Sequence, residues 1–290
     1  MITQQNLDSI HTAFNFTVDK YRLSGPENMR TSHFGMFRSD TLDCVGVAVK
    51  QQYQPHTVED IVTLVDSASS AFEGEATVEC YWKDGHHITV APSKEHRIQI
   101  YGREDNIFPR LIIKAGYNGT AFSSCLGFYR DACKNLAMLR SVSNTCVKIR
   151  HTHSLHAHLE DLNATFQGLA AKWDGTVDSI QRMESTRTDL HQFIESVYPA
   201  DSVAPRGAQS RANNRTDAII SRLRREQRET GRATTMLDNV SVWEAFNAVQ
   251  GYVQHDSSRR GNPTSFDRAL RAFDSPAVIK AESLAMQLAS

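Results

Sequence analysis

Long hydrophobic runs are missing from this chain. No window of about 18 apolar residues occurs, the length a membrane-crossing helix needs, so no such helix is expected. An excess of one charge is missing too. The 32 Lys and Arg against 33 Asp and Glu leave a formal net charge of −1. A global field for nucleic acid is therefore excluded, and any basic feature must be local. Cysteine is sparse: Cys44, Cys80, Cys125, Cys133 and Cys146 are odd in number, scattered, and form no C-x-x-C pair. That pattern predicts five reduced thiols in a cytoplasmic protein. No Walker loop and no Gly-x-Gly-x-x-Gly occurs, so nucleotide hydrolysis has no anchor. No other catalytic motif appears and no cofactor is implied. The opening MITQQNLDSIHTAFNF is polar and amphipathic, unlike a signal peptide.

What is present suits a globular protein with a real core. The 290 residues are 40% hydrophobic and 22% charged, enough for one large or two modest domains. The chain is organised around residues 108–152. Leu111, Ile112 and Ile113 form an apolar strand-like run, and Asn118-Gly119 tolerates the positive φ of a hairpin turn. Residues 130–140 change to a helical period, with Ala132, Leu136 and Leu139 on one side. Residues 146–150 alternate again as a strand, and His151-Thr152 opens a helix.

Upstream, Leu7, Ile10, Phe14, Val18 and Tyr21 predict an amphipathic helix over 4–21. Residues 33–38 and 44–50 read as strands. Thr57 caps a helix whose apolar side is Val58, Ile61, Val62, Leu64 and Val65, with Glu59 and Asp60 where the helix dipole favours acids. Strands over 77–82 and 87–91 flank Asp84-Gly85, a type I′ hairpin pair. Residues 97–101 add a short strand. Downstream, residues 155–173 and, more loosely, 177–197 keep a helical period. Residues 199–215 read as a loop and 217–232 as a basic helix. Residues 240–255 form a helix with Trp243, Phe246, Val249 and Val253 on one face, and the last helices break at Ser275-Pro276. The fold class is α+β: an N-terminal antiparallel β-sheet with packed helices over 1–152, then a mainly helical part over 153–290, packed on it as one unit.

Four blocks carry a resemblance. They are FRSDTLDCVGVAVKQQYQP at 37–55, AGYNGTAF at 115–122, VKIRHT at 147–152 and VWEAFNAVQGYVQH at 242–255. In order and spacing the chain resembles the phage/plasmid-like proteins grouped as the prokaryotic domain of unknown function 932. The family shows R-x-D-T and then Tyr-x-Pro in the first block, and W-x-x-Y-N-A-V-x-E-Y-x-D-H in the last. Gly251 and Gln254 stand here where the family has acidic residues. The K-x-x-x-L-A pattern at 280–285 fits as well. The resemblance implies a phage or mobile-element origin and supplies no catalytic residue.

Two kinds of constellation remain. His151, His153, His156 and His158 form H-x-H-x-x-H-x-H, but only His151 falls in the family pattern. A zinc site needs convergent, oriented ligands, so no bound metal is expected. His86-His87 alternate across a strand and cannot chelate one ion. Cys133 reads as a buried thiol rather than a nucleophile. The basic residues suggest more. Arg130, Lys134 and Arg140 are expected on one helix, Lys148 and Arg150 on one side of the next strand, and Arg222, Arg224, Arg225, Arg228 and Arg232 on the later helix. Clusters of this kind neutralise phosphates. Tyr81, Trp82, Tyr101, Tyr117, Phe122, Phe128 and Tyr129 lie on or near the same sheet, where aromatic rings stack unpaired bases. A sheet filled with aromatics and a solvated arginine helix is the ordinary alternative.

The order of hairpin, strand and helix in the centre resembles the core of Rad52-type single-strand annealing proteins, in element order alone. The expected function is a non-enzymatic, homo-oligomeric single-stranded DNA-binding protein that assists annealing or recombination. The alternative is an accessory protein that binds and inhibits a host defence protein. A metal-dependent nuclease is the third and weakest option, because no paired carboxylates mark such a site.

Overall fold

The computed structural model describes residues 2–71, 78–83, 86–92, 98–99, 106–119, 121–130, 133–138, 146–149, 166–168, 171–199, 208–257 and 262–290. The architecture is α+β, with antiparallel strands first and helices dominating the C-terminal part. Two compact units interleave in sequence. One holds 1–96, 109–126 and 144–171; the other holds 97–108, 127–143 and 172–290. The sequence reading made one cut at 152. The structure instead divides the central strands β7 (Asn106–Gly116) and β8 (Phe122–Arg130) between the two units.

The first unit opens with α1 (Gln4–Phe14), whose Thr3 hydroxyl accepts from the Asn6 amide. Ile10 and Phe14 are its buried side. The helix expected to reach residue 21 ends here. Val18 and Tyr21 lie instead on β1 (Val18–Ser24), which pairs antiparallel with β2 (Arg30–Arg38). The helical spacing of those two residues was a coincidence, overridden by the adjacent strand. β3 (Cys44–Val49) completes a three-stranded sheet in the order β1-β2-β3. The R-x-D-T turn between β2 and β3 is a built feature. Arg38 grips Asp40 with two bonds of 2.9 and 2.7 Å, and its guanidinium lies 4.1 Å from the Phe16 ring centroid. Leu42 carries a φ of 61° in this turn.

α2 (Val58–Ala71) starts as expected. Thr57 and Asp60 exchange bonds of 2.7 and 3.3 Å, a capping box at the helix start. Ile61, Leu64, Val65 and Ala68 form its buried face. β4 (Glu79–Lys83) and β5 (His86–Pro92) pair antiparallel with Lys83 opposite His86; the Asp84-Gly85 pair expected to turn between them lies outside the described residues. The larger sheet runs β10-β8-β7-β5-β4, where β10 is Cys146–Ile149. β6 (Ile98–Gln99) pairs with β7, and β9 (Asn135–Met138) with β8.

The first two family blocks meet in this unit. The Tyr53 hydroxyl donates to the Gly116 carbonyl at 2.8 Å, and Tyr117 stacks on His56 with centroids 4.2 Å apart. A Cβ at Gly46 would fall 2.1 Å from the Tyr117 carbonyl oxygen, so only glycine permits this approach. The β7–β8 loop bends at Gly119, with φ of 85°. It spans 117–121 and is longer than a two-residue turn.

In the second unit, α3 (Trp173–Ser185) and α4 (Leu190–Val197) are separated by β11 (Arg187–Thr188), which pairs with β12 (Val240–Ser241). α5 (Ala208–Glu229) begins inside the expected loop. Its first two turns are polar but contain the good helix formers Ala, Gln and Arg. α6 (Val242–Gly251) opens with a Ser241–Glu244 capping box, and all ten of its residues are buried. It continues as a π-helical turn, Tyr252–Asp256. α7 (Ser265–Asp274) and α8 (Pro276–Leu288) break at Ser275-Pro276 as expected.

The helix expected over 130–140 is a correction. β8 runs through Arg130, the chain turns at Lys134 with φ of 55°, and β9 returns beside it. The cause lies outside any local window. Arg130 and Asn135 are opposed in the β8–β9 register and reach partners on α5 and α6. This removes the central helix from the element order that suggested the Rad52-type likeness.

Candidate nucleic-acid interface

The basic residues divide by burial. Arg130 Nη1 lies 2.9 Å from Glu226 Oε2 on α5, with both side chains buried. Its guanidinium also lies 5.9 Å from the Trp243 ring. Arg222 donates to the Gly251 carbonyl at 3.1 Å, and its Nε lies 3.0 Å from Asp256. That Nε–H does not point at the oxygen, so the contact is an ion pair by proximity. These two arginines fasten β8, the end of α6 and the π-turn to α5. The expectation that they bind phosphate is corrected, because a buried guanidinium matched to a carboxylate has no face for DNA. Arg224 is partly buried and donates to Thr235 O at 2.6 Å and Gln227 Oε1 at 2.9 Å, holding the loop after α5.

Four expected residues remain at the surface of this unit. Lys134 is exposed at the β8–β9 turn, its ammonium 5.8 Å from the centroid of the partly buried Tyr129 ring. Its carbonyl accepts from Gln254 Nε2 at 3.5 Å, which joins the turn to the π-turn. Asp256 on the same π-turn faces exposed Arg225 at 3.8 Å. Arg228, also exposed, stands one helical turn beyond Arg225. Tyr129 and Lys134 on the β8–β9 hairpin are thus joined through the π-turn to Arg225 on α5, with Arg228 one turn further along that helix.

Other expectations fall elsewhere. Lys148 is in β10 opposite Ser123, and Cys146 is opposite Cys125. Arg140, Arg150, Tyr101 and the histidines 151, 153, 156 and 158 lie outside the described residues, as do the side chains of Lys148, Tyr81, Trp82 and Phe122. Tyr117 and Phe128 are core residues, Phe128 with its centroid 5.3 Å from that of Trp243. Arg232 bridges Glu184 and Glu244, the latter at 3.0 Å. Burial alone would raise the Glu244 carboxyl. Donation by Gln227, the Ser241 amide and the Arg232 charge together outweigh it and hold the group below its ordinary range.

The fourth family block is structural in its main residues. Asn247 donates to the Trp243 carbonyl at 2.9 Å, and Asn135 donates to the Asn247 carbonyl at 3.3 Å. A Cβ at Gly251 would come within 2.9 Å of Glu226 Oε1 and 3.0 Å of Arg222 Nε. A side chain at 251 would have to enter the space between Glu226 and Arg222, and Arg222 is met instead by Asp256. Sequence reasoning missed the Arg222–Asp256 contact.

The thiol expectation is also corrected. Cys44, Cys80 and Cys133 are thiols outside any disulfide, but Cys125 is disulfide-bonded. Directly opposed positions on antiparallel strands bring side chains within reach of such a bond. Among the described residues no group of three or more His, Cys, Asp and Glu could hold a metal ion. Among them also, no helix is long and apolar enough to cross a membrane.

An α+β chain with these blocks in this arrangement has a match among known families. The model of the family described as Domain of unknown function (DUF932) matches residues 47–275, and the chain belongs to that family. No curated protein and no solved structure matches it.

Proposed function

We propose that this protein is a non-enzymatic single-stranded DNA-binding protein of a phage or mobile element, assisting strand annealing or recombination. One observation carries the reading. Exposed Lys134, beside Tyr129 on the β8–β9 hairpin, is joined through the π-turn to exposed Arg225 on α5, with exposed Arg228 one turn further along that helix, while the Arg130–Glu226 and Arg222–Asp256 pairs fix these elements. Cations that neutralise phosphates beside a ring that stacks a base are what unpaired strands require. No cofactor takes part. The protein works as a homo-oligomer in the host cytoplasm; the bonded Cys125 is the observation against a steadily reducing compartment. The test is equilibrium binding to single- and double-stranded DNA across a salt series. Single-strand affinity that falls with salt supports the reading, and no binding at low salt removes it.

A second reading, binding and inhibition of a host defence protein, rests on a different surface. Of the six exposed large apolar side chains among the described residues, Tyr21, Met29, Leu42 and Val47 fall within the β1–β3 sheet and its loops. β1 and β3 are the edges of that sheet. Exposed apolar side chains and open edges suit a protein partner or a second copy.

A further inference from the structure

A cleft of about 510 Å³ in the second unit lies beyond the residues assigned above. Its lining includes Tyr198, Arg215, Tyr252, Leu270, Arg271 and Asp274, with Ser275 and Ala277 from the start of α8. The two arginines differ from those that fasten the fold. Arg130, Arg222 and Arg232 each face a carboxylate. Among the described residues, neither Arg215 nor Arg271 does. Arg215 Nε and Arg271 Nη1 are buried without a hydrogen-bond acceptor. Partly buried guanidinium groups without a counter-charge favour an anion reaching their remaining donors. Arg215 lies on one face of Tyr198 at 4.1 Å, which fixes its plane. Burial, with a smaller effect from Tyr252, pushes the Tyr198 phenol up to about 12, so it stays a hydrogen-bond donor.

Two further features point to the same ligand. α8 begins at the cleft with Pro276 at its first turn, no acidic residue there, and no side-chain bond from Ser275. Its first amides add positive potential. The lining also carries apolar and aromatic side chains, Val253, Leu270 and Tyr252. Tyr252 and Val253 come from the π-turn, a kind of irregularity frequent at functional sites. Asp274 is the acid of the lining, so the net charge of the three charged side chains is one positive. The volume suits a small molecule rather than a polymer.

We propose that this cleft binds a free nucleoside monophosphate. Its phosphate meets Arg215, Arg271 and the α8 amides, and its base lies against Tyr252 and Leu270. The lining of the cleft includes none of Tyr129, Lys134, Arg225 and Arg228.

Calorimetric titration of the full chain with deoxyadenosine monophosphate, deoxyadenosine, inorganic phosphate and a short 5′-phosphorylated oligonucleotide tests this. The monophosphate is expected to bind once per chain, at least about tenfold tighter than the nucleoside or phosphate alone. Arg271→Gln is expected to weaken it about tenfold. Asp274→Asn, at an exposed position, is expected to strengthen it and carries the test if Arg271→Gln lowers the melting temperature. Equal binding of nucleoside and monophosphate, no binding, or an affinity that neither variant changes overturns the proposal. Tighter binding of the oligonucleotide overturns it too and assigns the cleft to strand ends. Lys134→Ala with Arg228→Ala is expected to leave monophosphate binding unchanged, which separates this site from the DNA reading.

Discussion

Arg130 and Glu226 face each other at 2.9 Å with side chains only 2% and 3% exposed. The pair joins a strand to a helix 96 positions further along the chain. Removing one partner leaves a buried charge without its match. Arg130→Met is therefore expected to destabilise the protein by about 3–5 kcal/mol. The double change Arg130→Met, Glu226→Leu is expected to recover most of that loss. Denaturant unfolding of the two variants checks both values. A phosphate-binding Arg130 would behave otherwise, lowering the salt slope of DNA binding with little effect on stability.

The cysteines give a countable outcome. Three keep their thiols and Cys125 is in a disulfide. Alkylation of denatured, non-reduced protein is expected to modify three thiols, and prior reduction to raise the number to five. Intact mass after each treatment reads the count. Five modified thiols without reduction would return the protein to the fully reduced state read from its sequence.

Local signals were legible where their partners were local. Thr57 caps α2 three residues before its partner Asp60, and Pro276 stops one helix and opens the next. The two strands read on either side of Asp84-Gly85 pair antiparallel as β4 and β5. The β8–β9 hairpin was not legible, because Ala132, Leu136 and Leu139 fit a helical period while Asn135 finds its partner 112 positions away. The helix over 4–21 failed similarly, since the alternation of β1 matters only once β2 lies beside it. The arginines show the same limit for the site. Arg222 and Arg225 are neighbours on one basic helix, but the first is buried and the second exposed. Sequence supplies the cation; the packing of α6 against α5 decides what it meets.

His255 on the π-turn makes stability pH-dependent. Burial, and then the Arg222 charge, lower its pKa from 6.5 to about 4, with Arg268 adding to the effect. Asp256 and the Lys134 carbonyl oppose it. A group whose folded pKa is depressed gives up protons on folding, so its contribution is complete above about 6.5 and is lost as pH falls towards 4. Glu244 acts lower: its carboxyl is held below its ordinary value of 4.5, so its contribution falls away only under that pH. Melting temperature is expected to drop between pH 6.5 and 4 in the wild type, and the drop to shrink in His255→Asn. An identical profile in both would remove His255 from this role.

The proposed DNA interface makes the most demanding prediction. If Lys134 and Arg228 each neutralise a phosphate, each releases a counterion from a single strand. Removing one is expected to lower the slope of log affinity against log salt by about 0.7, and Lys134→Ala with Arg228→Ala by about 1.4. Both side chains are exposed, so the double variant is expected to keep its melting temperature. Arg225 is a weaker probe because Asp256 already faces it at 3.8 Å. Tyr129 tests the other half of the mechanism. If its ring stacks on a base, Tyr129→Ala costs about 1–3 kcal/mol of binding and leaves the salt slope unchanged. Its centroid lies 6.4 Å from that of Phe108, so unfolding of this variant is measured alongside. Tyr129→Phe keeps the ring and is expected to bind as the wild type does. A salt slope that both cation removals leave intact would move the interface away from the π-turn. It would favour the apolar β1–β3 surface and a protein partner instead.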